Sequence, residues 1–202
     1  MNRNRFGFAT LVVVFLLLGF RPVAYVPGDV ATDFNLPGVD GKNYSLSSFK
    51  DAKGFIIVFT CNHCPYAKAY EQRIIDLDKK YKSKGYPVIA INPNDTAQYR
   101  EDALDSMKIR AESRGFTFPY LWDESQSIAK IYGAEKTPHI YILQKMAASW
   151  MVKYVGAIDN NYKDPALVTE KYAENALDNL IAGKEVAIKS TKAIGCSIKW
   201  KH

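Results

Sequence analysis

The sequence predicts an α/β domain with a mixed central β-sheet flanked by helices, and three observations carry that expectation. Apolar runs of strand length alternate along the chain with segments whose apolar residues recur three and four apart, the pattern of strands covered by helices. Residues 55–60, F-I-I-V-F-T, are apolar without alternation and rich in β-branched and aromatic side chains, which suits a strand buried on both faces. The last two strand-like runs, 139–143 and 151–158, follow one another without a helix between them, so they close the sheet as a hairpin.

The elements follow in order. Residues 1–24 differ from the rest: Arg3 and Arg5 precede an apolar run that Arg21 and Pro22 close, the layout of a secretory signal or, if uncleaved, an N-terminal membrane anchor. Residues 25–183 are expected to form one domain, and 184–202 an extended C-terminal extension. Within the domain, Phe34 and Leu36 alternate with polar neighbours, and Asp40-Gly41 supplies the tight turn of an N-terminal β-hairpin, followed by a helical turn at 45–49. After the strand at 55–60, Ala67, Tyr70, Ile74, Leu77 and Tyr81 share one face of a helix over 65–82, with Pro65 tolerated in its first turn. A buried strand is expected at 87–93, a charged surface helix at 101–114, a short aromatic strand at 118–121 and a helix at 125–132. Asp164 and Pro165 are expected to open one long final helix that Gly183 closes.

The formal charge of +6 is partly a property of the leader, since losing Arg3, Arg5 and Arg21 halves it. The remaining excess lies partly in the tail, at Lys184, Lys189, Lys192, Lys199 and Lys201, which reads as a solvated segment. No clustered basic motif interleaved with aromatics suggests a nucleic-acid partner. A membrane is expected as a partner only through residues 1–24.

Three cysteines, Cys61, Cys64 and Cys196, are too few and odd in number for a dense disulfide framework in an exported chain. Cys61 and Cys64 stand in F-T-C-N-H-C-P, at the junction of a buried strand and a helix N-terminus. Free N–H groups and the positive end of the helix dipole there stabilise a thiolate, so the Cys61 pKa is expected to fall. Cys61 then attacks, and Cys64, one turn in, resolves. His63 and Asn62 are candidates for tuning the redox balance of the pair, beside the alternatives of an exposed histidine without a role and of an asparagine that simply suits a helix start. Lys68 and Glu71 either shape the site or simply face solvent. Cys196 is either a small buried side chain or, if the tail folds back, an auxiliary thiol.

The segments D-F-N-L-P-G-V-D-G-K-N-Y-S-L-S-S-F, the strand followed by C-x-x-C, F-P-Y-L-W-D-E-S-Q-S-I-A-K-I-Y-G and T-P-H-I-Y-I-L, in that order over residues 28–182, resemble the redoxin branch of the thioredoxin-like superfamily. That branch includes the alkyl hydroperoxide reductase C and thiol-specific antioxidant (AhpC/TSA) proteins, and exported bacterial peroxiredoxin-like members carry C-N-H-C-P and a G-C-x-I-K-W tail like G-C-S-I-K-W here. The resemblance implies a thioredoxin-like fold with the N-terminal hairpin as an extension. It also implies a cis-proline loop at Thr137-Pro138 facing the cysteines, where a substrate's extended chain pairs with the Thr137 backbone. His139 is then a structural residue of the strand. Two features of the superfamily are missing: Phe55 stands near where thioredoxin has a buried carboxylate, and no P-x-x-x-T-x-x-C precedes Cys61, so peroxidase activity does not follow.

The function expected is that of an exported, periplasmic thiol-disulfide oxidoreductase. It would act on protein or small-molecule thiols and disulfides, depend on a separate recycling partner, and need no cofactor and no metal. Three alternatives remain open: a metal-binding protein or copper chaperone holding an ion on Cys61, Cys64 and a histidine, a peroxiredoxin-like peroxide reductase, and a binding module with an inert cysteine pair.

Overall fold

Residues 24–201 are described by a computed structural model, and the described chain opens on a hairpin of β1 (Leu36–Pro37) and β2 (Asn43–Tyr44). Its turn depends on Gly41, whose φ of 80° lies where a side chain would be strained, and Asp40 Oδ1 accepts the Lys42 N–H across it. A 3₁₀ turn at Leu46–Ser48 then leads into β3 (Gly54–Phe59), every residue of which is buried. The helix α1 (Pro65–Tyr81) follows, then β4 (Val88–Asn92), α2 (Leu104–Arg114), β5 (Tyr120–Trp122) and α3 (Ser127–Tyr132). The chain continues through a two-residue strand β6 (Lys136–Thr137), the hairpin β7 (His139–Met146) and β8 (Ser149–Gly156), α4 (Tyr172–Ile181), and a second two-residue strand β9 (Cys196–Ser197).

The main sheet has the order β5-β4-β3-β7-β8. β3 pairs parallel with β4 and antiparallel with β7, so the sheet is mixed and β3 is its centre. That position explains its composition. Ile56 and Val58 face a core shared with Tyr70, Ile74 and Leu77 of α1, Met107 of α2, and Ala173 and Leu177 of α4. Phe55, Ile57 and Phe59 face the opposite core, with Leu46, Ile128 and Tyr132. A strand between two cores has no polar face to show, and the apolar run at 55–60 reflects this. Parallel ladders on one side and an antiparallel hairpin on the other give the thioredoxin-like arrangement with its N-terminal hairpin.

Three expectations are corrected. The final helix is not continuous: Pro165–Leu167 forms a 3₁₀ turn and α4 begins only at Tyr172. The interruption is held by Asn160, whose Oδ1 accepts the N–H groups of Thr169 and Glu170 while its own N–H donates to the Glu170 carbonyl, leaving those groups unavailable to a helix. The charged helix at 101–114 likewise starts as a 3₁₀ turn, Arg100–Asp102, before α2. The tail folds back on the domain rather than extending from it, while Lys184, Lys189, Lys192 and Lys201 stay exposed. Val186 and Ile198 are buried, Ser190 bridges to Val155, and β9 pairs antiparallel with β6.

Candidate functional site

β3 ends against the N-terminus of α1, and the loop between them carries Cys61, Asn62, His63 and Cys64. Cys64, with extended backbone angles, is the N-cap of α1, and Pro65 occupies the first helical position, where its missing N–H costs nothing. The helix start expected of Asn62 therefore belongs to Cys64. Asn62 is instead a buried clip: its backbone N–H donates to Asp102 Oδ1 at 2.6 Å, its Nδ2 donates to the Glu101 carbonyl at 2.6 Å, and its Oδ1 accepts from the Tyr120 hydroxyl at 3.0 Å.

The Thr137–Pro138 peptide bond is cis, and Thr137 lies against both cysteines of the pair. Cys61 Sγ is 3.2 Å from Thr137 Oγ1, and Cys64 Sγ is 3.3 Å from the Thr137 carbonyl oxygen. Cys64 is fully buried and Cys61 is 3% exposed. The disulfide, however, joins Cys64 to Cys196, and Cys61 is a free thiol. Cys196 packs on the cluster formed by Cys61, Cys64 and Ala67, so the tail brings a third sulfur into the site.

The expected fall in the Cys61 pKa is reversed in this form. Burial pushes the thiol up to about 12, aided by the Asp102 carboxylate; the contacts from Thr137, the Cys64 amide and Asn94 oppose this without overcoming it. The helix N-terminus is present, but desolvation and a neighbouring negative charge outweigh it.

Asp102 was not legible as a site residue. It is fully buried and accepts from Asn62 N, His63 N and Asn94 Nδ2, with its Oδ2 2.5 Å from His63 Nδ1. His63 is thus engaged by Asp102 and stacked on Tyr99, with ring centres 4.3 Å apart. Asn94, the other residue missed, links site and tail, because its Oδ1 accepts the Lys199 N–H at 2.9 Å. Both lie after β4, remote in sequence from the cysteines, and only the parallel β3–β4 pairing brings them there. Glu71 is buried and paired with Arg110 and Arg114, so solvation does not account for it, whereas Lys68 is exposed and reaches Glu101. His139 opens β7 as a buried strand residue.

Cys61, His63 and Asp102 place one potential ligand atom each within 4.8 Å of one another. Donors around a tetrahedral zinc stand about 3.3 Å apart, given bonds of roughly 2.0–2.1 Å. The 2.5 Å between His63 Nδ1 and Asp102 Oδ2 is a hydrogen bond between the two rather than a shared ion's spacing. Cys64, which the metal-binding alternative requires as a thiolate, is committed to Cys196. The arrangement does not fit an ion as it stands, and it does fit sulfur exchange: three sulfurs pack in one cluster bordered by a backbone edge.

The AhpC/TSA family pattern matches residues 27–158. A crystal structure of an uncharacterized conserved protein from Geobacillus kaustophilus is 40% identical, covering 87% of this chain and 92% of that one with a TM-score of 0.80. The thiol-disulfide oxidoreductase ResA of Oceanobacillus iheyensis is 26% identical over 157 residues, 71% of this chain and 78% of that protein. A thiol:disulfide interchange protein of the thioredoxin family from Chlorobium tepidum shares the fold at 21% identity, with a TM-score of 0.54 over 70% of this chain and 93% of that one.

Proposed function

The chain belongs to the AhpC/TSA family, and on that premise we propose that it is an exported thiol-disulfide oxidoreductase in which Cys61 is the attacking sulfur and Cys64 the resolving one. The observation that carries this reading is the convergence of Cys61, Cys64 and Cys196 on Thr137. Similarity to ResA, a thiol-disulfide oxidoreductase, agrees with it. Cys61 attacks one sulfur of a partner disulfide, forming a mixed disulfide and expelling the other sulfur as a thiolate. Cys64 then attacks Cys61 Sγ, closing Cys61–Cys64 and releasing the partner's second thiol. The reverse sequence oxidises a dithiol partner. A protein substrate's extended chain pairs with the backbone edge at Thr137, next to Pro138, with its sulfur directed at Cys61.

In the Cys64–Cys196 form Cys61 is covered and held protonated, so this form is the resting oxidised state, and turnover requires an external dithiol to reduce Cys64–Cys196 and the tail to open. Exchange among sulfurs needs no cofactor. Peroxide reduction is the weaker alternative, because no P-x-x-x-T-x-x-C pattern, the peroxidatic signature, precedes Cys61. Export rests on residues 1–24, of which all but Ala24 lie outside the described residues. No helix among the described residues is long and apolar enough to cross a membrane. The reading also assigns a periplasmic location, a separate recycling partner, and tuning of the pair by Asn62 and His63 through their bonds to Asp102.

The test is reduction of a protein disulfide substrate such as insulin with dithiothreitol as electron donor. The wild-type chain accelerates it and Cys61→Ser abolishes the acceleration. Acceleration that survives Cys61→Ser would remove Cys61 from the role given to it.

A further inference from the structure

The tail is held at the site by interactions that fix the position of Cys196. β9 pairs with β6 in the register Thr137 to Cys196 and Lys136 to Ser197, so the chain's own segment occupies the Thr137 backbone edge. Ile198, 3% exposed, donates its N–H to the Glu135 carbonyl, and Lys199 donates to Asn94 Oδ1. A Cβ on Gly195 would stand 2.3 Å from the Thr137 carbonyl oxygen, a distance real side chains do not tolerate. Glycine therefore allows the approach that puts Cys196 against Cys64. Burial differs among the three cysteines: Cys61 and Cys64 are buried, and Cys196 is of intermediate exposure.

We propose that Cys196 is the exit thiol of an intramolecular disulfide relay, receiving the disulfide formed by Cys61 and Cys64 and presenting it to an external dithiol at the surface. The proposal rests on the thiol-disulfide reading above. The Cys196 thiolate attacks Cys64 Sγ of the Cys61–Cys64 disulfide; that bond breaks, Cys64–Cys196 forms, and Cys61 leaves as a thiolate that takes up a proton. One S–S bond replaces another with no net oxidation. A thiolate of the external dithiol then attacks Cys196 Sγ and expels Cys64 as a thiolate. The dithiol's second sulfur closes on its first, releases Cys196 and carries the disulfide away. The same steps run backward when the enzyme acts as an oxidant. The two intramolecular disulfides share Cys64, which is the sulfur at which the relay switches.

The test follows the fully reduced full-length chain after one equivalent of oxidised dithiol, with acid quenching, alkylation in denaturant and disulfide mapping by mass spectrometry against time. In the wild type, Cys61–Cys64 is expected to appear first and decay into Cys64–Cys196 as Cys61 becomes alkylatable again. Cys196→Ser is expected to stop at Cys61–Cys64, and its re-reduction by dithiol to slow. Gly195→Ala keeps all three thiols and is expected to slow the transfer step about tenfold or more by displacing Cys196. Formation of Cys64–Cys196 at the wild-type rate in Cys61→Ser would overturn the relay and make the bond a staple. Wild-type re-reduction of Cys196→Ser would overturn the relay and leave the Cys61–Cys64 reading standing. Failure of Cys61–Cys64 to form in both wild type and Cys196→Ser would overturn both.

Discussion

Asp102 accepts hydrogen bonds from Asn62, His63 and Asn94 while fully buried, and so fixes both residues between the cysteines and the side chain that meets the tail. The same carboxylate opposes a negative charge on Cys61. Asp102→Asn preserves the shape and removes the charge, so in the Cys64–Cys196 form the pH profile for alkylation of Cys61 should move to lower pH. An unchanged profile would assign the raised pKa to burial alone. Asn62 contributes differently, through three hydrogen bonds, two of them made by its side chain. Asn62→Ala leaves the Tyr120 hydroxyl and the Glu101 carbonyl without those partners and should cost about 1–3 kcal/mol in denaturant unfolding.

The strand, loop and helix around the cysteines were legible because the signals are local: an apolar run for β3, helical spacing for α1, and Pro65 marking its first turn. The hairpin turn at Gly41 was legible for the same reason. What could not be read were the elements defined by distant partners. Nothing in G-C-S-I-K-W says that Cys196 pairs with Thr137, since a two-residue strand has no periodicity. Nothing near Asp102 points to a loop some forty residues earlier, and the break before α4 depends on an asparagine outside the helical pattern. Because β9 pairs with the domain through only two residues, weakening it should, once Cys64–Cys196 is reduced, open it without unfolding the domain. Ile198→Ala should raise amide exchange at residues 196–199 while leaving β3 protected. Equal loss of protection in β3 would mean that tail and domain unfold as one unit.

At the level of the whole molecule, the Cys64–Cys196 disulfide spans 132 residues and encloses most of the fold. Chain-entropy arguments give such a crosslink up to roughly 4–5 kcal/mol of stabilisation, so reduction should lower the unfolding free energy by an amount of that order, read as a fall in the denaturant midpoint. A second dependence comes from His139. Burial lowers its pKa from 6.5 to about 4, so between those values the unfolded chain holds a proton that the native chain does not. Stability should therefore fall as pH drops below about 6.5 and level off below about 4, by up to roughly 3 kcal/mol. His139→Gln should flatten that part of the profile. The central claim, that Cys61 is the sulfur partners meet, is tested most directly by trapping with Cys64→Ser, which cannot resolve a mixed disulfide at Cys61. After reaction with a cysteine-containing peptide disulfide, peptide mapping should place the adduct on Cys61. An adduct confined to Cys196, with Cys61 unmodified, would contradict the account.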